Sequence, residues 1–234
     1  MVSPWRRSGL ITFMAFLLVA GGIATAWTQS DPLCPHIVAC EYEAPAFSIR
    51  VVDQQTDQPL ADVHAIATWV VYGGPRRRGP LMALEAVSGP DGRLSFSAWG
   101  PVRSGLEGVL PGRDPIISLF RPGYYAQLIH NATPGGQPDT ARVHAFDQAG
   151  ETFKLVRLRG ASAETIAELW KATDPFEGAS PSRFDPSPVR QAYLDRLRRV
   201  RSEAERLPRD LPDLQQLLWA VNGGIRLFES EAHK

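Results

Sequence analysis

Between residues 47 and 158 the chain reads as short runs of period-two alternation separated by turn chemistry. That pattern leaves room for little besides a layered β architecture. Phe47, Ile49 and Val51 alternate with Ser48, Arg50 and Val52. Val63, Ala65, Ala67 and Trp69 keep one register through an apolar run that ends near Tyr72. The segment Ser88-Gly89-Pro90-Asp91-Gly92 parts 82–88 from 93–99, where Leu94 and Phe96 alternate with Arg93 and Ser95. Asp-Gly is a tight-turn pair, so a hairpin is expected across it. A second hairpin is expected between 116–120 and 124–129, across Arg121-Pro122-Gly123, where proline presets one turn dihedral and glycine takes the positive φ. Residues 152–158 supply the last of seven strands, enough for a small β-sandwich. The breaker-rich stretch 73–80, with Arg76-Arg77-Arg78, reads as a solvated loop tip, and 100–115 as a long crossover loop.

The character changes at Ser162, which caps a short helix carrying Ile166, Leu169 and Trp170. Ser187 and Pro188 open a clearer helix, with proline suited to its first turn. Val189, Ala192, Tyr193, Leu197, Val200 and Ala204 share one face of it, while Arg190, Arg196, Arg198, Arg199 and Arg201 read as a solvated side. A further helix follows Asp210, with Leu211, Leu214, Leu218, Val221, Ile225 and Phe228 in one stripe and Gly223-Gly224 weakening its end. The two form an expected hairpin whose stripes need a partner, either each other or a sandwich face.

At the amino end, Arg6 and Arg7 precede an uncharged apolar run from Leu10 to Trp27, and Ala24-Thr25-Ala26 has small-x-small spacing. Residues 1–27 therefore read as a cleaved signal peptide or, alternatively, an uncleaved transmembrane helix with possible membrane association through residues 10–27. Either reading places the rest outside the cytosol: periplasmic, secreted, or anchored in the inner membrane facing outward. Residues 28–45 are a proline-bearing linker holding Cys34 and Cys40, and outside the cytosol an even cysteine count favours a disulfide between them. Residues 46–160 form the expected β domain and 161–234 the helical region. Lysine plus arginine equals aspartate plus glutamate at 25 each, so no nucleic-acid footprint is present.

The chain carries no His-Glu-x-x-His, Cys-x-x-Cys, Gly-x-Ser-x-Gly or phosphate-cradling glycine loop. No catalytic, cofactor-binding or metal residue is assigned on this basis, and no cofactor is expected. His64 lies in a strand and reads as a partly exposed structural histidine. Two alternatives remain open. Tyr124, Tyr125, His130 and His144 are the residue types with which intradiol ring-cleaving dioxygenases hold ferric iron, although the His-x-His spacing of that family is missing. Trp69, Trp99, Tyr124 and Tyr125 could form a sugar-stacking platform, the feature of a carbohydrate-binding module.

Three segments bear a resemblance. Ile49-Arg50-Val51-Val52-Asp53 followed by Thr56-Asp57-Gln58-Pro59-Leu60-Ala61-Asp62-Val63 resembles the opening of carboxypeptidase regulatory-like domains. Ser88 to Phe96 resembles their Thr-Asp-x-x-Gly-x-Phe hairpin, and Arg121-Pro122-Gly123-Tyr124 their Pro-Gly-Tyr turn. The resemblance covers about residues 47–130. It implies a mainly β chain: a seven-stranded Greek-key, prealbumin-like β-sandwich, here followed by a C-terminal α-helical hairpin. It implies no activity, since such domains are usually accessory. The expectation is an exported, non-catalytic binding or structural module with an unknown protein or carbohydrate partner at the envelope.

Overall fold

Strand β3 (His64–Gly73) is buried along its first eight residues on both faces, and the rest of the architecture is arranged to cover it. The computed structural model describes residues 41–73, 76–104, 108–131, 141–160, 162–178, 181–182 and 185–229, with backbone alone at 76–78. All of these belong to the unit Asp31–Lys234. The other strands are β1 (Glu41–Ala44), β2 (Phe47–Asp53), β4 (Arg76–Val87), β5 (Arg93–Phe96), β6 (Trp99–Arg103), β7 (Ile116–Phe120), β8 (Gln127–Ile129) and β9 (Thr152–Leu155). They form a four-stranded sheet in the order β4-β3-β7-β8, a three-stranded sheet β5-β2-β9 and a two-stranded ribbon β1-β6. Three helices follow: α1 (Ser162–Ala172), α2 (Ser187–Ala204) and α3 (Leu214–Glu229).

The alternation of β3 explains the layering. Ala65, Ala67, Trp69 and Val71 point into one apolar core, shared with Ile49 and Val51 of β2, Leu94 and Phe96 of β5, and Trp99 of β6. Ile66 and Val70 point the other way, into a second core with Val189 and Ala192 of α2. The inner stripes of α2 and α3 meet in a third cluster that reaches Phe120 at the end of β7. A strand covered on both faces reads as a nearly continuous apolar run, as residues 63–71 do.

The fold expected from the sequence is corrected here. The chain does not form a seven-stranded Greek-key sandwich with a separate helical hairpin. Among the described residues it forms nine strands in three sheets plus three helices, and α2 lies on the four-stranded sheet as a structural layer. The added strands β1 and β6 come from stretches assigned to the linker and to the crossover loop. They pair with each other, Glu41 opposite Arg103 and Tyr42 opposite Val102. Arg76 to Arg78, expected at a loop tip, open β4, whose backbone pairs with the last residues of β3. The Asp91-Gly92 turn does not close a hairpin either. β4 pairs with β3, whereas β5 pairs with β2, so the turn carries the chain from one sheet to another.

That turn is held by contacts remote in sequence. The Ser88 hydroxyl donates to Leu60 O (2.7 Å) and accepts the Val63 N–H (2.9 Å). Gly92, at φ +72°, offers its carbonyl to the Val51 N–H, and a Cβ there would come within 2.4 Å of Val51 O. Only glycine fits both the dihedral and the gap. A second tie repairs β3 itself. Its register against β4 shifts between Trp69 and Val70, and the Asp114 carboxylate accepts the Val70 N–H at 2.7 Å.

The expected transmembrane helix and disulfide find no support in the described residues. No helix there is long and apolar enough to cross a membrane, and no disulfide is present. The longest, α2, has five arginines interrupting its apolar positions. The leader at 1–27 and the pair Cys34 and Cys40 lie outside the described residues.

The two glycines of α3 separate helix propensity from packing. At Gly223 a Cβ meets nothing within 4 Å, whereas at Gly224 it comes to 2.7 Å from Leu197 Cδ1, a buried atom of α2. Gly223→Ala is expected to raise the unfolding free energy by about 0.5–1 kcal/mol in urea titration. Gly224→Ala should forfeit that gain and fall about 1 kcal/mol or more below Gly223→Ala, because the core must shift to admit the methyl.

Candidate functional site

Helix α2 presents an arginine where its inner stripe calls for an apolar residue. Arg196 lies on the face of Val189, Ala192 and Val200, and its side chain is fully buried. The register of the sheet beneath determines what it meets. Ile66 of β3 stands opposite both Ser118 of β7 and Glu85 of β4, and His64 lies two residues along the same face. Arg196 Nε donates to His64 Nδ1 (2.7 Å), and one terminal nitrogen donates to the Ser118 hydroxyl (3.1 Å). The other terminal nitrogen donates to the carbonyls of His64 (3.2 Å) and Ser118 (3.0 Å). The far side of the imidazole, Nε2, lies 2.7 Å from Glu85 Oε1.

These contacts settle the tautomer. Arginine has only donors, so Nδ1 of His64 must accept, and the ring proton sits on Nε2, pointing at Glu85. The imidazole is therefore neutral although a carboxylate touches it. Burial is the main cause, and the fields of Arg196 and Arg199 add to it; together they push the His64 pKa down to about 2. Burial likewise pulls Arg196 down to about 9, which leaves it charged at neutral pH. Burial raises Glu85, and the nearby Arg199 and Arg196 oppose that rise. The result is a guanidinium–imidazole–carboxylate relay in which the cation is wholly buried and the carboxylate is 26% exposed. Both ring nitrogens are occupied, so the imidazole ties α2 to the sheet and is not itself a free base. A cleft of about 320 Å³ opens beside it, with His64, Phe120 and Arg199 among its lining.

A second polar cluster forms around Asp53. Asp53 closes β2 with a buried carboxylate. Its Oδ1 accepts the N–H groups of Gln55 (2.9 Å) and Thr56 (3.0 Å) and the Thr56 hydroxyl (3.1 Å). Its Oδ2 accepts the Tyr124 hydroxyl (2.9 Å) and Arg157 Nε. The Arg157 guanidinium holds this carboxyl well below the usual carboxylate range. The Tyr124 ring has two guanidinium groups near it, with its centroid 4.7 Å from Arg121 and 5.5 Å from Arg157. Burial and the Asp53 contact raise its phenol.

The metal set considered from sequence does not assemble. Tyr124 is committed to Asp53, and Tyr125 donates to Glu164. His130 pairs with Glu177 at 3.2 Å, and His144 packs edge-on against Tyr42 with its Nε2 2.9 Å from Ala141 O. These contacts do not fit a shared iron, and among the described residues no cluster of His, Cys, Asp or Glu could hold a metal ion. The sugar platform fares no better. Trp69, Trp99 and Tyr124 are buried, and the two indoles meet edge-on at 5.1 Å. His64, expected to be partly exposed, is 1% exposed, and Arg196 does not belong to the solvated side of α2. One signal could have found Arg196: seven residues after Val189 and four before Val200, it falls inside the apolar stripe.

No family model matches the chain, and no curated protein matches it. Among solved structures the chain is similar to the dioxygenase domain of a dioxygenase–carbohydrate-binding protein fusion from Streptomyces sp. SirexAA-E. That match has 19% identity over 57% of this chain and 94% of the other, with a TM-score of 0.28. It is also similar to a 9R-lipoxygenase from Cyanothece PCC8801, with 14% identity over 75% of this chain and 26% of the other and a TM-score of 0.27. Likenesses this slight carry no argument about fold or chemistry.

Two outcomes follow from the relay. Arg196→Met should cost about 3–5 kcal/mol in denaturant unfolding, since it strands Ser118 and the His64–Glu85 pair without their cation. The neutral His64 adds a pH dependence. Its folded pKa lies below its unfolded value, so its contribution is complete above about pH 6.5. As the pH falls it is lost at up to about 1.4 kcal/mol per unit. Glu85, shifted upward, acts with the opposite sign and tempers this slope. His64→Gln supplies an acceptor for Arg196 and a donor for Glu85. It should fold and lose the histidine component, read as stability against pH between 6.5 and 4.5.

Proposed function

We propose that the chain is an exported, non-catalytic binding or structural module that works in the periplasm or at the cell envelope and contacts a partner protein. One observation carries the reading. The buried His64 and Asp53 are spent on internal ties, while among the described residues the most exposed large apolar side chain, Trp219, lies on α3. His64 has both ring nitrogens occupied, and Asp53 accepts five hydrogen bonds. On α3, Trp219 is 75% exposed and Leu227, two turns further on, is 50% exposed. An indole so open to water is the kind of side chain that anchors protein interfaces.

The resemblance to carboxypeptidase regulatory-like domains supports the same reading. The Asp53 that ends the opening motif and the Tyr124 of the Pro-Gly-Tyr turn are hydrogen-bonded to each other, so the segments that carry the resemblance are physically joined. Domains of that family are usually accessory.

The test is crosslinking in intact envelopes, followed by identification of the recovered proteins. Trp219→Ala is expected to keep the melting temperature within about 1–2 °C, since an exposed side chain contributes little to folding, and to lower partner recovery severalfold. Recovery unaffected by Trp219→Ala would remove α3 as the contact. Stoichiometric iron or zinc in purified protein would overturn the non-catalytic assignment.

A further inference from the structure

The outer face of the three-stranded sheet carries an arrangement that folding alone does not favour. In the β2–β5 pairing, Arg50 stands directly opposite Arg93. Their neighbours Ile49 and Leu94 turn into the core, so both arginines project outward and both are exposed. Directly opposed like charges weaken an antiparallel pair. Among the described residues neither guanidinium makes an ion pair. Arg50 Nε donates to the carbonyl of Asp91 (3.1 Å), and Arg93 donates from a terminal nitrogen to the Ser48 hydroxyl (3.0 Å). Those two neutral acceptors orient the forks without neutralising them. Both arginines line a cleft of about 390 Å³ together with Ser48, Asp91 and Gly150. A Cβ at Gly150 would meet nothing within 4 Å, so the floor on that side is open.

The charged neighbours of this pair are one lysine and two carboxylates, and neither carboxylate forms an ion pair with Arg50 or Arg93 among the described residues. Lys154 on the neighbouring strand is already paired with Asp57. Asp91 lines the cleft with a carboxylate that keeps its charge, and its Oδ1 is turned toward the backbone N–H of Arg93, which it accepts at 3.0 Å. Glu151 is exposed beside Gly150.

We propose that Arg50 and Arg93 form a binding site for a tetrahedral oxyanion, a phosphoryl or sulfate group that bridges the two guanidinium forks. Opposed residues on antiparallel strands have Cα atoms about 4.5–5.5 Å apart, so one ion can reach both side chains. A carboxylate holds its acceptor sites in one plane, whereas a tetrahedral oxyanion directs its oxygens out of a plane and can present a separate pair of them to each fork. The bound anion converts a repulsive cross-strand pair into a bridged one. This site is separate from α3 and does not depend on the module reading.

The experiment is thermal unfolding of the full chain with inorganic phosphate or glucose 6-phosphate, against sodium chloride and glucose at matched ionic strength. A ligand that binds only the folded state raises the melting temperature with concentration. Phosphate is expected to do so beyond chloride. A response to both phosphate and the sugar phosphate assigns a free phosphoryl group, and a response to the sugar phosphate alone assigns a phosphorylated saccharide. Arg50→Gln should weaken the response at least tenfold in concentration. Its ligand-free melting temperature at low salt should be no lower than that of the parent chain, because the repulsion is relieved. Arg50→Lys should retain part of the response and Lys154→Gln all of it. Phosphate and sugar phosphate acting no more strongly than chloride, or an undiminished response in Arg50→Gln, would overturn the site.

Discussion

A charged side chain with no route to water holds the sheet and helix layers together. Arg196 sits in an apolar stripe, and its desolvation is offset only because β3 and β7 bring an imidazole nitrogen, a hydroxyl and two carbonyls within reach. Each acceptor sits where the sheet register puts it. A slip of one residue in β3 would replace His64 with an apolar side chain and turn Ile66 toward the other core. Hydrophobic packing alone would allow α2 to slide along the sheet. The guanidinium fork removes that freedom, because its donors are fixed in a plane.

The same logic recurs where loops meet the sheets. Asp53 gathers a polar turn, the Tyr124 ring and Arg157 on one carboxylate, so three segments distant in sequence share a single anchor. Ser88 ties its turn to residues 60–63, and Asp114 supplies the acceptor that the irregularity in β3 leaves wanting. In each case a short polar side chain satisfies backbone groups that no ladder reaches, which a buried strand edge requires. Among the described residues these joints hold buried polar groups, while an exposed indole on α3 and an exposed arginine pair on the three-stranded sheet face outward.

Much of the local structure was legible because it follows from neighbours in sequence. The alternation at Phe47, Ile49 and Val51, the apolar run of β3, the proline-led start of α2 and the stripe of α3 all depend on side chains within one or two turns of each other. The errors share one cause. Gly100-Pro101 looked like the end of a strand, yet β6 continues through it because β1 lies alongside to pair with it. Asp91-Gly92 looked like a hairpin, yet the outgoing strand finds β2 in place of β4. Arg196 looked solvated because arginine usually is, and His64 looked half exposed because nothing local announced a helix above it.

The order of apolar and polar residues, read without coordinates, determined the central strands and the helices and which face of each seeks cover, but not β1, β6 or the start of β4. Those preferences arise from the two backbone periodicities and from turn stereochemistry, which are properties of adjacent residues. Tertiary structure alone decided which strands share a sheet, which face of β3 receives α2, and which charged groups lose their water. These depend on the pairing of residues as far apart as His64 and Arg196, where a desolvation cost is tolerated only if the right acceptors arrive from elsewhere in the chain.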